Sequence, residues 1–412
     1  NGYKAYWKEG SQILDDIANQ ISAHMDKIEK FEDVKLIPFE DAIKSGIAKY
    51  IDDSVDEDYK KEVLNLTIND ENIDKDIKVV YTPLNGVGNL PVREVLKRRG
   101  FENIFVVKEQ ELPDPEFTTV GYPNPEVPKA FLYSEKLGKE VGADILIATD
   151  PDCDRVALEV KDKNGEYVFL NGNRIGALLS YYIFSQRHAL NNLPENPVLV
   201  KSIVTGDLSR AIAKKYGIET VETLTGFKNI CGKTNEYDVT KEKNYVFGYE
   251  ESIGFCYGTF VRDKDAVGAS MMVVEMAAYY KKQGKSLLDV LNDIYEEFGY
   301  YNERQISLEL EGIEGQQRIG RMMEDFRENP IKEMGDISLK EIIDFKDGYL
   351  DFPKQNCLKY YLNDGSWYAL RQSGTEPKIK LYIYTIGKTE QESIDKLDLI
   401  EKACREKMNN VK

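Results

Sequence analysis

The sequence predicts an α/β protein: two consecutive α/β domains with mixed sheets, then a C-terminal α+β domain, all preceded by the remnant of a third α/β domain. Three observations carry this expectation. From about residue 76 to residue 303, short apolar runs alternate with helical patterns, which implies mainly parallel sheets whose ligands gather at the carboxyl ends of the strands. From about residue 304 strands follow one another across turns, with two helices among them, the pattern of a small α+β domain. Finally, 412 residues are too many for one core and suffice for about three domains.

Residues 1–75 open with an aromatic run at 3–7, a strand candidate, after which Ile13, Ile17, Ile21 and Ile28 recur at helical spacing. A lone strand followed by helices cannot enclose a core, so this part reads as the tail of a domain. Residues 76–190 form the next unit. A strand at 78–81 leads through the loop Thr82-Pro83-Leu84-Asn85-Gly86-Val87-Gly88 into a helix that Pro91 opens and Gly100 stops. A strand at 104–107, a loop rich in proline and acidic residues at 109–128, and a helix at 129–141 then precede the strand 145–148. Segments 156–160 and 167–170 flank Asn164-Gly165, a hairpin signal. Gly86 and Gly88 lack the third glycine of a dinucleotide loop and read as turn residues that let the backbone bend.

After a helix at 172–187, the proline-containing stretch 191–197 marks a boundary, and residues 191–303 repeat the alternation. Strands are expected at 198–204, 219–222 and 245–247, with helices at 208–216 and after Asp265. Polar groups recur at the strand ends: Thr225-Gly226-Phe227-Lys228, Gly248-Tyr249-Glu250-Glu251-Ser252-Ile253-Gly254 and Arg262-Asp263-Lys264-Asp265. Plain structural roles exist for each, with Gly226 a turn residue, Asp263 a helix cap and Glu250 a surface charge. Residues 304–412 show strands at 306–310, 359–362, 366–370 and 379–385, and helices at 316–327 and from 389. Between two of these strands, Arg371-Gln372-Ser373-Gly374-Thr375-Glu376-Pro377 combines a guanidinium fork, two hydroxyls and backbone N–H groups freed by glycine, the parts of a phosphate cradle.

The stretch Asp150-Pro151-Asp152-Cys153-Asp154-Arg155 stands where a buried strand reaches the surface. Alternate residues of an extended or tightly turned segment share a direction, which aims Asp150, Asp152 and Asp154 at one point. Such charges repel unless a cation joins them, and hard oxygen ligands favour Mg²⁺ or Ca²⁺. A solvated turn is the plain alternative. An EF-hand loop is excluded, because the sixth position is Arg155 rather than glycine and the twelfth is Lys161 rather than glutamate.

Composition narrows the partners. A formal charge of −17 argues against nucleic acid or an anionic membrane surface, so a phosphorylated ligand needs a local basic pocket. No stretch approaches a membrane span, and Asn1-Gly2-Tyr3-Lys4 is no signal peptide. The five cysteines are scattered without a C-x-x-C pair, which fits a reducing cytoplasm and argues against zinc. Two histidines, His24 and His188, lie in helical patterns away from any nucleophile, so a mechanism built on histidine is not expected.

Taken in order, the aspartate loop, Thr225 to Lys228, Gly248 to Gly254 and Arg371 to Pro377 resemble the α-D-phosphohexomutase superfamily, in particular its phosphoglucomutase/phosphomannomutase branch. The resemblance runs over essentially the whole chain. It implies three similar α/β domains and a fourth α+β domain around one cleft, with residues 1–75 as the end of the first domain, 76–190 binding metal, 191–303 binding sugar and 304–412 binding phosphate. It implies transfer of phosphate between the C1 and C6 hydroxyls of a hexose through a phosphoserine and a hexose 1,6-bisphosphate, which also serves as activator. By the same resemblance Asp150, Asp152 and Asp154 hold Mg²⁺, while Arg155 steadies the phosphoserine region and Lys264 is a basic residue with an acid/base role. Glu250 and Ser252 hold sugar hydroxyls; Arg371, Ser373, Gly374 and Thr375 grip the phosphate that is not reacting; Thr225, Gly226 and Lys228 are neighbours of the substrate. Lys4 matches a lysine near the reacting phosphate.

One departure accompanies these matches. The family's serine lies in a Thr-Ala-Ser-His-Asn-Pro-like loop, and no such stretch occurs here. Asn1 to Lys4 matches what normally follows that loop, and the sequence begins without methionine, so a preceding segment carrying the nucleophile is expected and this chain alone is expected not to turn over. Glu250-Glu251-Ser252 resembles the glucose-preferring form of the sugar loop, which makes glucose 1-phosphate the expected substrate. Phosphomannomutase or phosphopentomutase activity, the latter on a pentose phosphate, and a phosphosugar-binding protein without catalysis are the alternatives. An aspartyl-nucleophile phosphatase would not require the sugar and phosphate loops. The sequence sets no oligomeric state.

Overall fold

The computed structural model describes residues 4–373 and 377–411. In chain order its elements are α1 (Asp15–Met25), α2 (Phe39–Lys44), α3 (Asp53–Asn65), β1 (Val79–Thr82), α4 (Asn89–Arg98), β2 (Ile104–Val106), α5 (Leu132–Val141), β3 (Ile145–Thr149), β4 (Val156–Lys161), β5 (Tyr167–Leu170), α6 (Gly172–Ala189), β6 (Pro197–Ser202), α7 (Leu208–Lys215) and β7 (Glu219–Thr223). They continue with α8 (Phe227–Thr240), β8 (Asn244–Glu250), β9 (Gly254–Tyr257), α9 (Ala266–Lys282), α10 (Leu287–Phe298), β10 (Tyr300–Glu309), α11 (Gly312–Glu328), β11 (Glu333–Met334), β12 (Ile337–Asp344), β13 (Cys357–Leu362), β14 (Trp367–Gln372), β15 (Lys378–Gly387) and α12 (Glu390–Asn410). Two compact units result. The first comprises residues 1–200 and 226–286, the second residues 201–225 and 287–412, so the boundary falls within β6.

The first unit is built on the sheet β2-β1-β3-β4-β5. Its first three strands run parallel, and β4 and β5 return antiparallel. Every residue of β1 and β3 is buried, as expected of parallel strands covered by helices on both faces. Helix α9 is apolar all round and buried along most of its length. In its middle stands Glu275, fully buried, whose Oε2 accepts from Arg99 Nη1 at 2.6 Å and whose Oε1 accepts from the Ile68 and Asn69 amides and the Tyr182 hydroxyl. That carboxylate ties α9 to α6, to the end of α4 and to the chain after α3.

Two local expectations change in this unit. The aromatic run near the N-terminus forms no strand among its described residues; Tyr6 makes a single bridge to Gln12 across a tight turn, because no neighbouring strand pairs with it. Helix α1 ends at Met25 and leaves Ile28 outside, and its apolar side remains exposed at Ile21 and Met25. The long helix expected after Asp265 is α9, which ends at Lys282, just before Gly284 takes a left-handed conformation at φ +75°.

In the second unit the antiparallel sheet β10-β15-β14-β13-β12-β11 has a core of Ile319, Met322, Phe326, Leu358, Tyr368, Leu381, Ile400 and Cys404, which sits beneath α11 and α12. A separate cluster joins Trp367, Tyr382 and Tyr384 to Ile203, Val204 and Leu224. Strands β11 and β12 were not legible in the polar-rich sequence, because their residues are mostly half-buried or exposed. All five cysteines are buried free thiols, and both histidines are exposed on helices. Among the described residues no helix is long and apolar enough to cross a membrane.

Candidate functional site

The aspartate loop is the connection of an antiparallel pair: β3 ends at Thr149, opposite Val156 of β4. Within it, one carboxylate oxygen each from Asp150, Asp152 and Asp154 lies within 4.8 Å of the others. Asp150 is buried and built into the loop, its Oδ1 accepting from the amides of Asp154 (3.1 Å) and Arg155 (2.9 Å) and its Oδ2 from Arg155 Nε (2.9 Å). Asp154 is half-buried and Asp152 exposed, which leaves the open side of the cluster toward solvent.

Two glycines make this loop possible. A Cβ on Gly86 would lie 2.4 Å from the Pro151 Cα, and one on Gly88 would lie 2.7 Å from the Cys153 Sγ. The Val87 amide donates to the Pro151 carbonyl at 2.9 Å. Gly86 and Gly88 stand in the turn expected from the sequence, and they are also close-approach residues that let the β1–α4 loop support the aspartates; neither adopts a positive φ. Cys153 itself is left-handed at φ +57°, a rare backbone state for a side-chain-bearing residue.

Burial and the neighbouring charge of Asp154 push the Asp150 carboxyl up to about 7, against the opposing pull of Arg155. Burial also works against the Asp152 charge, but the hydrogen bond with Asp150 and the Lys4 ammonium hold it below the ordinary carboxylate value. The geometry carries the chemistry here: an all-carboxylate set of this spacing fits a hard cation such as Mg²⁺.

Cationic side chains stand around the cluster. Lys4 Nζ lies 3.4 Å from Asp154 Oδ2 and 3.7 Å from Asp152 Oδ2. Lys264 Nζ lies 3.0 Å from Asp154 Oδ2 and 3.0 Å from Asp263 Oδ1, and it sits 5.5 Å from the centre of the Phe227 ring. Arg155 extends to Asn124 Oδ1 at 3.4 Å and Glu126 Oε2 at 3.7 Å, which brings part of the long acidic loop to the site. Asp265, not Asp263, caps α9; its Oδ1 accepts from the Val267 and Gly268 amides and from the Tyr59 hydroxyl. Asp263 instead accepts from the Tyr6 hydroxyl at 2.5 Å.

The sugar-loop candidate is the three-residue turn between β8 and β9, whose register pairs Glu250 with Gly254. It is stitched to the aspartate loop: the Val156 amide donates to the Ile253 carbonyl at 3.1 Å, and Arg155 bridges Gly254. Ile253 is buried in a left-handed conformation at φ +56°, strained for a β-branched residue, as is common where a loop is held for binding. Glu250 is buried, and its Oε1 accepts from the Gly226 amide at 2.6 Å, so it is no surface charge. Ser252 lies half-buried in the turn. Gly226 is indeed a turn residue, at φ +107°, and Lys228 pairs with Asp15 at 2.6 Å.

In the second unit Arg371 is the penultimate residue of β14, and its Nη1 donates to Thr225 Oγ1 at 2.5 Å. Gln355 Nε2 reaches the same hydroxyl at 3.4 Å. Arg371 Nε is buried and has no hydrogen-bond partner among the described residues. The Ser373 amide donates to the Lys378 carbonyl at 2.8 Å, which closes the base of the loop. Gly374 and Thr375 lie outside the described residues. The sequence missed Gly86 and Gly88 as supports, and Tyr6, Asp263 and Gln355 as neighbours of the site; only the glycine pair left a local signal.

Comparison with known proteins bears on this arrangement. Residues 57–165 match the family model for phosphoglucomutase/phosphomannomutase, alpha/beta/alpha domain II, and residues 171–298 match that for domain III. A phosphoglucomutase of Staphylococcus epidermidis is 36% identical over 396 residues, covering 93% of this chain and 70% of that protein. Among solved structures, the phosphoprotein pp63/parafusin, a phosphoglucomutase from Paramecium in its open form, is similar with a TM-score of 0.65 at 16% identity, over 97% of this chain and 72% of its own. An N-acetylphosphoglucosamine mutase of Aspergillus fumigatus, solved in complex with GlcNAc-6P and magnesium, has a TM-score of 0.50 at 14% identity, over 84% of this chain and 68% of its own. These two structures bear on the fold, while the sequence matches bear on descent: the chain belongs to the phosphoglucomutase/phosphomannomutase family of α-D-phosphohexomutases, a family of isomerases that act as intramolecular phosphotransferases.

Proposed function

We propose that these 412 residues carry the metal, sugar and phosphate sites of a phosphoglucomutase-type enzyme, which interconverts glucose 1-phosphate and glucose 6-phosphate through a phosphoserine and glucose 1,6-bisphosphate. The observation that carries the reading is the convergence of Asp150, Asp152 and Asp154 beside Arg155, Lys4 and Lys264. Such a set holds a cation and leaves donors for the oxygens of a transferring phosphoryl group. Mg²⁺, when bound by the three aspartates, supplies positive charge to that group. Lys4 and Lys264 lie close enough to the cluster to donate to its oxygens, and Lys264 takes the acid/base role at the sugar hydroxyl.

Glu250 and Ser252 take the sugar hydroxyls, on a turn that is tied to the metal loop through Ile253 and Gly254. Thr225, Gly226 and Lys228 are assigned to substrate binding in the same reading. Arg371, Ser373, Gly374 and Thr375 hold the distal phosphate; the unpartnered Arg371 Nε is a donor in want of an acceptor, which a phosphate oxygen would satisfy. Fixing one phosphate while the other reacts supplies the orientation that transfer needs. The division into residues 1–75, 76–190, 191–303 and 304–412 assigns these duties in turn to a first-domain tail and to metal, sugar and phosphate domains.

The 412 residues contain no Thr-Ala-Ser-His-Asn-Pro-like loop, so the phosphoserine is assigned to a serine that they do not supply. The test pairs a coupled assay on glucose 1-phosphate with calorimetry on glucose 1,6-bisphosphate and Mg²⁺. Binding without turnover is expected. Robust turnover by this chain would overturn the missing-nucleophile part, and absence of bisphosphate binding would overturn the mutase reading. Stronger binding of mannose or pentose phosphates would transfer the assignment to those substrates.

A further inference from the structure

Lys264 occupies an unusual electrostatic position. Its ammonium is shared between two carboxylates at the same distance, 3.0 Å, one of them Asp154 of the metal cluster and the other Asp263. The Lys264 stem packs against the backbone of Gly254, with Cδ 2.4 Å from where a Cβ on residue 254 would sit. Phe227 lies near its head, and its side chain is 15% exposed. Lys4 differs, because it is 43% exposed and can give up Asp154 to water. A largely desolvated ammonium has no such exit; losing a counter-ion is costly unless a second one remains.

Asp263 is built to be that second counter-ion. The Tyr6 hydroxyl donates to its Oδ2 at 2.5 Å, which leaves Oδ1 for Lys264 Nζ and the Lys264 amide. The two stretches that carry Tyr6 and Asp263 are held together independently: Ser11 bridges Arg262, and Asn235 reaches both the Ser11 hydroxyl (2.7 Å) and Arg262 Nη1 (3.1 Å). Burial opposes the Asp263 charge, yet Lys264 and the Tyr6 hydroxyl hold its carboxyl below the ordinary range. Asp263 is thus a second carboxylate on Lys264, held in place by contacts that do not involve Asp154.

We infer that Asp263, held by Tyr6, is a positioning residue that takes over the Lys264 ammonium when a divalent cation claims Asp154. The metal cluster can then fill without ejecting Lys264 and without stranding a buried charge, and Lys264 stays within reach of the reacting group. This inference rests on the metal assignment above. Its physical content is a competition: Lys264 and the cation want the same carboxylate, and Asp263 lowers the cost of the exchange.

The experiment measures Mg²⁺ affinity of the full 412-residue chain by calorimetry. Asp263→Asn is expected to weaken binding on the order of tenfold, because Lys264 then has only Asp154. Tyr6→Phe, which keeps the carboxylate and serves if Asp263→Asn fails to fold, is expected to weaken it less, about threefold, because Asp263 keeps its charge and loses only one of its hydrogen bonds, an effect on Mg²⁺ passed on through Lys264. Both losses should vanish when Lys264→Met is added, a non-additivity that a merely structural defect would not produce. Unchanged Mg²⁺ affinity in Tyr6→Phe and Asp263→Asn overturns the inference, as does a loss that persists beside Lys264→Met. Asp152→Ala is the control. If it leaves Mg²⁺ binding intact, the metal assignment falls and takes the inference with it; if it abolishes binding while Asp263→Asn changes nothing, the inference alone falls.

Discussion

Glu159 on β4 provides a quantitative test of the strand that carries the aspartate loop back into the sheet. It is 2% exposed, its Oε2 has no hydrogen-bond partner among the described residues, and burial together with the charge of Glu135 pushes its carboxyl up to about 8 from an ordinary 4.5. A folded-state value above the unfolded one means that the folded protein holds the proton more tightly. The stabilisation is complete below about pH 4.5 and is lost as pH rises through about 8. At about 1.4 kcal/mol per pH unit, the full loss is on the order of 5 kcal/mol, and less where water penetrates. Glu159→Gln keeps the shape and removes the titration. Urea melts of the parent and the variant at pH 5.5, 7 and 9 should therefore show the variant gaining steadily over the parent, by roughly 3 kcal/mol or more across that range. A difference that stays flat from pH 5.5 to pH 9 would refute the claim that the carboxyl is held protonated by burial.

Three further outcomes follow from particular contacts. Gly86→Ala places a Cβ about 1 Å inside ordinary carbon contact with Pro151, while metal ligands tolerate about 0.5 Å of misplacement, so Mg²⁺ affinity should fall at least about tenfold with the far-ultraviolet dichroism unchanged. Arg99→Met leaves the fully buried Glu275 without its cation and should cost about 3–5 kcal/mol in denaturant melts; a loss below about 1 kcal/mol would show that the amides and Tyr182 suffice. Arg371→Lys replaces a planar fork by a point charge, so calorimetry should show glucose 1,6-bisphosphate binding weakened on the order of tenfold and Mg²⁺ binding unaffected.

Much of the scaffold was legible because its signals are local. Uninterrupted apolar runs mark β1 and β3, and the left-handed glycines 100 and 165 stand where a helix stops and a hairpin turns. Strands β11 and β12 escaped because their exposure removes the apolar pattern. The aspartate loop was legible for a related reason: all three carboxylates fall within five consecutive residues, so chain geometry alone nearly fixes their convergence.

What the sequence by itself determined was the fold class, the cluster Asp150, Asp152 and Asp154, and the order of loops by which the family is recognised. Tertiary structure alone decided what surrounds that cluster. Tyr6 meets Asp263 across 257 positions and Lys4 meets Asp154 across 150, and neither meeting leaves a trace in local pattern. Gly86 is a turn residue in sequence and structure, but only packing adds the Pro151 backbone against it, and Asp263 reads as a helix cap until Asp265 takes that duty and leaves it for Lys264. The physical reason is one of range. Backbone preference and burial periodicity act over a few residues, whereas the partner of a buried charge is chosen by which distant segment the packed core delivers beside it.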